Sequence, residues 1–278
     1  MIVTCYLMGG LGNQLFQIFA TINYCIKHNM SIHFLDISQV GNRKTAWNTL
    51  LVALRPILVN CLPDKRFLLK ETSFHYSELP KIENQHVALF GYFQSEKYFL
   101  SNYQKIYDLI QMDDRKKEVM AKTATAVTTI TITEVTTVSM HFRIGDYKNI
   151  QQCHPLMTLD YYQTSLQYIK TVIKGSIQVV YFCEEMDLSH VLEIIHTLQN
   201  KFTDCTFVRC PNLLDDWEQM IYMSLCHHNI IANSTFSWWG AYFNNNANKI
   251  VCYPANWFGP ELQKNDTRDL CPSEWTKI

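Results

Sequence analysis

Short apolar runs alternate with segments of helical spacing along most of this chain, so strand and helix follow one another nearly from end to end. Ile2 to Leu7 reads as a first strand. Met8-Gly9-Gly10-Leu11-Gly12-Asn13-Gln14 is a glycine-rich turn, and the helix after it sets Leu15, Phe16, Phe19, Ile22 and Ile26 on one stripe. Ile32 to Leu35 is a second strand, ending at Asp36. Residues 40–86 break the rhythm, with Pro56, Pro63 and Pro80 among Leu/Val-rich pieces. Val87 to Phe93 then reads as a buried strand running into an aromatic loop. Gln94, Glu96 and Lys97 in that loop belong either to plain core or to a sugar site, where rings cover the apolar face of a pyranose.

Asp113 to Lys122 is a charged helical segment. The threonine-rich stretch Thr123 to Thr137 reads as helix end, connector and entering strand, and it divides the chain into expected domains 1–135 and 136–278. The strand ending at Met140 leads into His141. Side chains alternate along a strand, so Val138, Met140 and Phe142 are expected in the core, with Ser139, His141 and Arg143 on the other face. Leu159 to Ile173 has helical spacing. Gln178 to Cys183 is a near-continuous apolar run, as in a parallel strand buried on both faces, with Glu184 and Glu185 at its end. A helix over Asp187 to Gln199 and a strand over Thr206 to Arg209 follow. Leu213 to His228 reads as one long helix with Trp217, Met220, Ile221 and Leu225 on one side, Ile230 to Ala232 as a short strand, and Lys249 to Tyr253 as the last strand. The alternation predicts the α/β class with a parallel layer.

At 278 residues and 47% hydrophobic content the chain can bury one large core or two smaller ones. A net charge of −1 leaves no basic field for nucleic acid or anionic lipid. No apolar run approaches the ~20 residues of a membrane span, and the start lacks the charges of a signal peptide. A soluble, cytoplasmic protein is expected. Ten cysteines without any Cys-x-x-Cys read as reduced thiols. Cys226-His227-His228 has no second ligand pair at a matching spacing, and no Asp-x-Asp is present to bridge a metal and a sugar diphosphate, so no metal is expected. The sequons at Asn233 and Asn265 are coincidental without secretion.

Two stretches carry candidate chemistry. His141-Phe142-Arg143-Ile144-Gly145-Asp146-Tyr147 sets a planar cation, a histidine and an acid at a strand mouth. That set suits a diphosphate, because arginine grips two oxygens at once. The plain alternative is an Arg143–Asp146 surface pair. Asn233-Ser234-Thr235-Phe236-Ser237 is a hydroxyl-rich cap before an apolar helix. Leading amides and the helix dipole suit phosphate, and a capped helix without ligand is the local alternative. Together the two stretches predict a diphosphate held by Arg143 and helix amides in place of a metal. The N-terminal turn imitates a dinucleotide fingerprint, but the third glycine falls at Leu15 and no Gly-Lys-Ser/Thr follows. Gly10, Gly12 and Asn13 then either face a ligand cleft or form a structural turn.

Gly-Gly-Leu-Gly-Asn-Gln at 9–14, Gly-Tyr-Phe-Gln-Ser-Glu-Lys-Tyr-Phe at 91–99, His-Phe-Arg-Ile-Gly-Asp-Tyr at 141–147 and Ala-Asn-Ser-Thr-Phe-Ser-Trp-Trp-Gly-Ala at 232–241 resemble, in family order, the galactoside α-1,2-fucosyltransferase family. The resemblance implies a GT-B fold with two Rossmann-like lobes and a cleft between them, the first on the acceptor side and the second binding a GDP-sugar. It implies GDP-fucose as donor, a galactose-terminated glycan as acceptor, inversion, and no cofactor or metal. It further implies that Arg143 binds the diphosphate, with His141 and Asp146 shaping its loop. Asn233, Ser234, Thr235 and Ser237 would face phosphate or nucleotide, and Gly10, Gly12, Asn13 and Gln94 the sugar. The family more often carries Ser-Asp-Asp where this chain has Cys183-Glu184-Glu185, which leaves the nucleoside contact at Glu184 open. Asp146, Glu184, Asp215 and Asp216 are unranked candidates for the general base. Fucose transfer of another linkage, use of another GDP-sugar, and a non-catalytic sugar- or nucleotide-binding protein of the same fold are the alternatives.

Overall fold

Ile2 and Val3 open strand β1 (Ile2–Cys5), and helix α1 (Leu11–His28) returns the chain to its parallel neighbour β2 (Ser31–Ile32). Four two-residue strands follow: β3 (Phe34–Leu35), β4 (Gln39–Val40), β5 (Arg43–Lys44) and β6 (Leu58–Val59), with β3 beside β6 and β4 beside β5. β7 (Phe67–Lys70) and β8 (Val87–Phe90) complete a parallel sheet of order β2-β1-β8-β7. The single strand expected over Ile32 to Leu35 is divided at His33. There the backbone changes partner, His33 N–H bonding the Val3 carbonyl and Asp36 N–H that of Val59. α1 starts at Leu11, so Gly12 and Asn13 lie in its first turn. Leu15, Phe16, Phe19 and Ile22 are buried as the stripe requires, but Ile26 in the last turn is 37% exposed. Helix α2 (Tyr103–Leu109) packs on α1, and α3 (Met112–Ala126) follows.

The computed structural model describes residues 1–126 and 135–278, so much of the connector expected over Thr123 to Thr137 lies outside the described residues. Contacts group Met1–Arg115 with Asn265–Pro272 as one unit, and Lys116–Lys264 with Ser273–Ile278 as the other. This grouping differs from a division at residue 135. Within the second unit Lys116 Nζ donates to the Phe243 carbonyl and Lys122 Nζ to the Glu218 carboxylate at 2.6 Å. Within the first, Asp269 accepts from Tyr76 N–H at 3.1 Å and pairs with Lys97.

The second unit is built on a wholly parallel sheet. β9 (Thr136–His141), α4 (Leu159–Val172), β10 (Ile177–Phe182), α5 (Leu188–Lys201) and β11 (Cys205–Arg209) grow it in one direction. α6 (Asp216–Ser224), β12 (His228–Ile230), α7 (Thr235–Tyr242), β13 (Val251–Tyr253) and β14 (Thr276–Lys277) grow it in the other, giving the order β11-β10-β9-β12-β13-β14. Val138, Met140 and Phe142 are core, as alternation predicts, but Ser139 and His141 are buried as well. Parallel strands are covered on both faces, and Asn229 Nδ2 satisfies the Ser139 hydroxyl at 2.7 Å. The helix expected over Leu213 to His228 is shorter: Asp215 and Glu218 form a capping box at its start, and it ends at Ser224. His228 opens a strand instead, its Nδ1 accepting the Ile250 N–H at 3.0 Å. β13 is not the last strand, since β14 pairs along it.

Each sheet reverses its direction of growth once, between β1 and β8 in the first unit and between β9 and β12 in the second. Open α/β sheets bind ligands outside the carboxyl ends of their strands at such reversals.

Candidate active site

The β9/β12 reversal brings together the two stretches singled out in the second half of the sequence. β9 ends at His141 and is followed by Arg143; β12 ends at Ile230 and is followed by Asn233 and Ser234. Tyr147 joins them. Its hydroxyl donates to the Asn233 carbonyl at 3.2 Å, and the Arg143 guanidinium lies over its ring, 5.1 Å from the centroid. His154 stacks on Tyr147, with ring centroids 4.8 Å apart.

Arg143 holds two carboxylates, Glu184 at 2.6 Å and Asp146, so the Arg143–Asp146 pair exists as one half of a three-residue cluster. Glu184 and Asp146 are each about half exposed, whereas the Arg143 side chain is 20% exposed. Gly145 makes this possible: its φ is +25°, and a Cβ there would stand 3.1 Å from Glu184 Oε2. A residue that sequence reading passed over anchors the loop. Buried Asp187 accepts the Gly145 N–H and the Lys148 ammonium, both at 2.7 Å. Asp187 lies just beyond Glu184-Glu185, and the position after a strand end was the signal available.

His141 adds no charge to the cluster. Burial, reinforced by the Arg143 cation, pushes its imidazole down to about 3, and its ring faces Phe236 at 5.5 Å. Asn233 is buried, its Nδ2 donating to the carbonyls of Pro155 at 3.0 Å and Trp257 at 3.1 Å. Ser234 caps α7 by accepting the Phe236 N–H at 3.3 Å. Ser237 is fully buried, its hydroxyl against the Ser234 carbonyl at 3.3 Å, so it shapes the turn from beneath. Thr235 is partly exposed at the head of α7. The hydroxyls of this cap are thus partly engaged by the turn itself. Asp215 likewise caps α6. His227 and His228 each accept a backbone N–H through Nδ1, from Thr137 and Ile250.

The β1/β8 reversal gathers the first-unit candidates. Gly9 has φ +72°, and a Cβ there would meet Asn13 Nδ2 at 2.4 Å. Gly10 precedes the first turn of α1, which contains Gly12 and Asn13, and Gln94 Nε2 donates to Asn13 Oδ1 at 3.0 Å. Gln14 and Gln17 brace the turn from inside, on the carbonyls of Gly9 and Met8. Glu71 was missed altogether. Its carboxylate accepts the N–H groups of Tyr92 at 2.7 Å and Phe93 at 2.9 Å, and so holds the turn that delivers Gln94.

Each unit alone has the open parallel sheet of a Rossmann-like lobe, and the fold class is GT-B. Two solved structures share the fold. Glycosyl transferase family 9 from Veillonella parvula covers 100% of this chain and 85% of its own at a TM-score of 0.53 and 10% identity. An Arabidopsis thaliana FUT1 variant in complex with GDP covers 98% and 74% at 0.51 and 7% identity. Residues 2–278 match glycosyl transferase family 11, and the chain belongs to that family. It is 27% identical to an alpha-1,2-colitosyltransferase of Escherichia coli over 100% of this chain and 99% of the relative. It is 29% identical to the O-antigen biosynthesis glycosyltransferase WbnK of Escherichia coli over 66% and 59%. The protein is a glycosyltransferase. Among the described residues no helix is long and apolar enough to cross a membrane.

Proposed function

We propose that this glycosyltransferase moves L-fucose from GDP-fucose to the 2-hydroxyl of a terminal galactose on a glycan, with inversion and without a metal ion. The observation that carries the reading is the pairing of Arg143 with the Ser234 turn at the ends of adjacent strands, bridged by Tyr147. Arg143 and the head of α7 are the diphosphate's partners. The 2-hydroxyl oxygen attacks the fucose anomeric carbon opposite the diphosphate. The bond from that carbon to the phosphate oxygen breaks through an oxocarbenium-like state, and its electron pair leaves with GDP. Arg143 neutralises the departing charge. Donor binding exchanges Glu184 and Asp146 on the guanidinium for phosphate oxygens, which frees a carboxylate beside the reacting centre to take the hydroxyl proton.

The α-1,2 linkage draws support from the relative named for it. That same relative favours a second reading, transfer of colitose through the same linkage. The test is turnover of GDP-fucose against GDP-colitose over an acceptor panel, with chelator present and product linkages mapped. Arg143→Lys is expected to lose roughly 10²–10³ in turnover, since one ammonium does not replace a fork. Near-wild-type turnover in that variant, or a product of another linkage, defeats the reading.

A further inference from the structure

A cavity of about 310 Å³ opens at the carboxyl end of β1, lined by Thr4, Cys5, Tyr6 and Leu7, by Phe34, Leu35 and Ile37, and by Leu62, Asp64 and Arg66. That volume stands at the lower end of the ~300–1,000 Å³ range of small-molecule clefts, room for about one sugar ring with its substituent. β1 runs from this cavity straight into the Gly9–Asn13 turn.

Two polar groups in its wall lack partners. Thr4 is 2% exposed, and its hydroxyl has no hydrogen bond. Arg66 Nε is also buried and unbonded, while the rest of the guanidinium donates to the Pro63 carbonyl and, at 3.3 Å, to the Tyr6 hydroxyl. Among the described residues no carboxylate pairs with Arg66, and Asp64 is exposed at the rim of the cavity. A buried donor without an acceptor is costly, and an arginine fork matches a carboxylate in shape and charge. Tyr6, 44% exposed, supplies the aromatic surface that covers the apolar face of a sugar, buried Phe34 backs the wall from its stack on Trp47, and Asp64 accepts from hydroxyls at the rim.

We propose that this cavity is a subsite for a carboxylate-bearing sugar unit of the acceptor, with Arg66 holding the carboxylate and Thr4 a ring substituent. The assignment deepens the acceptor side of the fucosyltransferase reading and rests on it. Its test therefore measures binding with no nucleotide present.

Methyl glucuronide and methyl glucoside, which differ only in the carboxylate, are titrated into the full chain by calorimetry or ligand-observed NMR. Wild type is expected to bind the glucuronide about 10-fold or more tightly, as a charge-assisted hydrogen bond implies. Arg66→Gln erases the preference, and Arg66→Lys keeps part of it. Thr4→Val weakens both ligands a few-fold while leaving the fold intact, and it decides the matter should Arg66→Gln fail to fold. Equal affinity for the two glycosides, binding of neither at millimolar concentration, or a preference that survives Arg66→Gln overturns the proposal. GDP-fucose turnover by the same wild-type preparation reports separately on the reaction, so loss of one reading is distinguishable from loss of the other.

Discussion

Glu71 offers the sharpest test of how the first unit presents Gln94. Its carboxylate accepts the Tyr92 and Phe93 N–H groups, Gly91 passes so close that a Cβ would lie 2.3 Å from Glu71 Cβ, and buried Phe93 adopts φ +53°. Burial raises this carboxyl from the ordinary 4.5 to about 7, outweighing the two N–H bonds that pull it down. Between those values the folded chain keeps a proton that the unfolded chain has released. Stability contributed by this group is therefore complete below pH 4.5 and falls as pH rises towards 7. At ~1.4 kcal/mol per tenfold change in proton affinity, the rise from 4.5 to about 7 amounts to about 3 kcal/mol. Glu71→Gln keeps the shape and one acceptor oxygen, sets an NH2 against the second N–H at a cost that does not depend on pH, and does not titrate. The stability of the variant relative to wild type is expected to rise by about 3 kcal/mol between pH 4.5 and pH 8. Urea titrations of both proteins at half-unit pH steps, followed by circular dichroism, measure the difference and cancel every other ionisable group. A constant offset across that range refutes the reasoning.

The other expectations concern the Arg143 loop. Tyr147→Phe removes the bond to the Asn233 carbonyl but keeps the ring beneath Arg143, and GDP affinity measured by calorimetry should fall by about 1 kcal/mol, roughly fivefold. Asp187→Asn unlatches Lys148 and weakens the hold on Gly145; hydrogen exchange across residues 145–149 should quicken by about 1–3 kcal/mol in opening energy, read by mass spectrometry. His141 is neutral throughout the working range because its imidazole is pushed down to about 3. His141→Gln should thus leave the shape of the pH profile of kcat/KM between pH 5 and 8 unchanged, whatever it does to the rate, and the disappearance of a limb would contradict this.

Local residue order was enough to determine the parallel α/β class, the helices over Leu159 to Val172 and Leu188 to Lys201, and the two stretches that carry the chemistry. Each is written in a short window: an apolar run, a 3.6-residue stripe, a fork of charge after a strand. Helix limits were less legible where tertiary bonds compete. Apolar spacing continues past Ser224, but His228 and Asn229 find partners on Ile250, Ser139 and Asn244 that a helix would deny them. The two-residue strands from Phe34 to Val59 are too short to show any period.

Tertiary structure alone decided which strands are neighbours, and with that the site itself. Tyr147 and Asn233 lie 86 positions apart, and nothing local to either says that β12 returns beside β9 instead of extending the sheet past β11. The same holds for Glu184 on Arg143, Asp187 under Gly145 and Glu71 beneath Tyr92 and Phe93. Each is an acid whose surroundings come from distant segments, and burial and hydrogen bonding are properties of those surroundings, not of the residue's place in the chain.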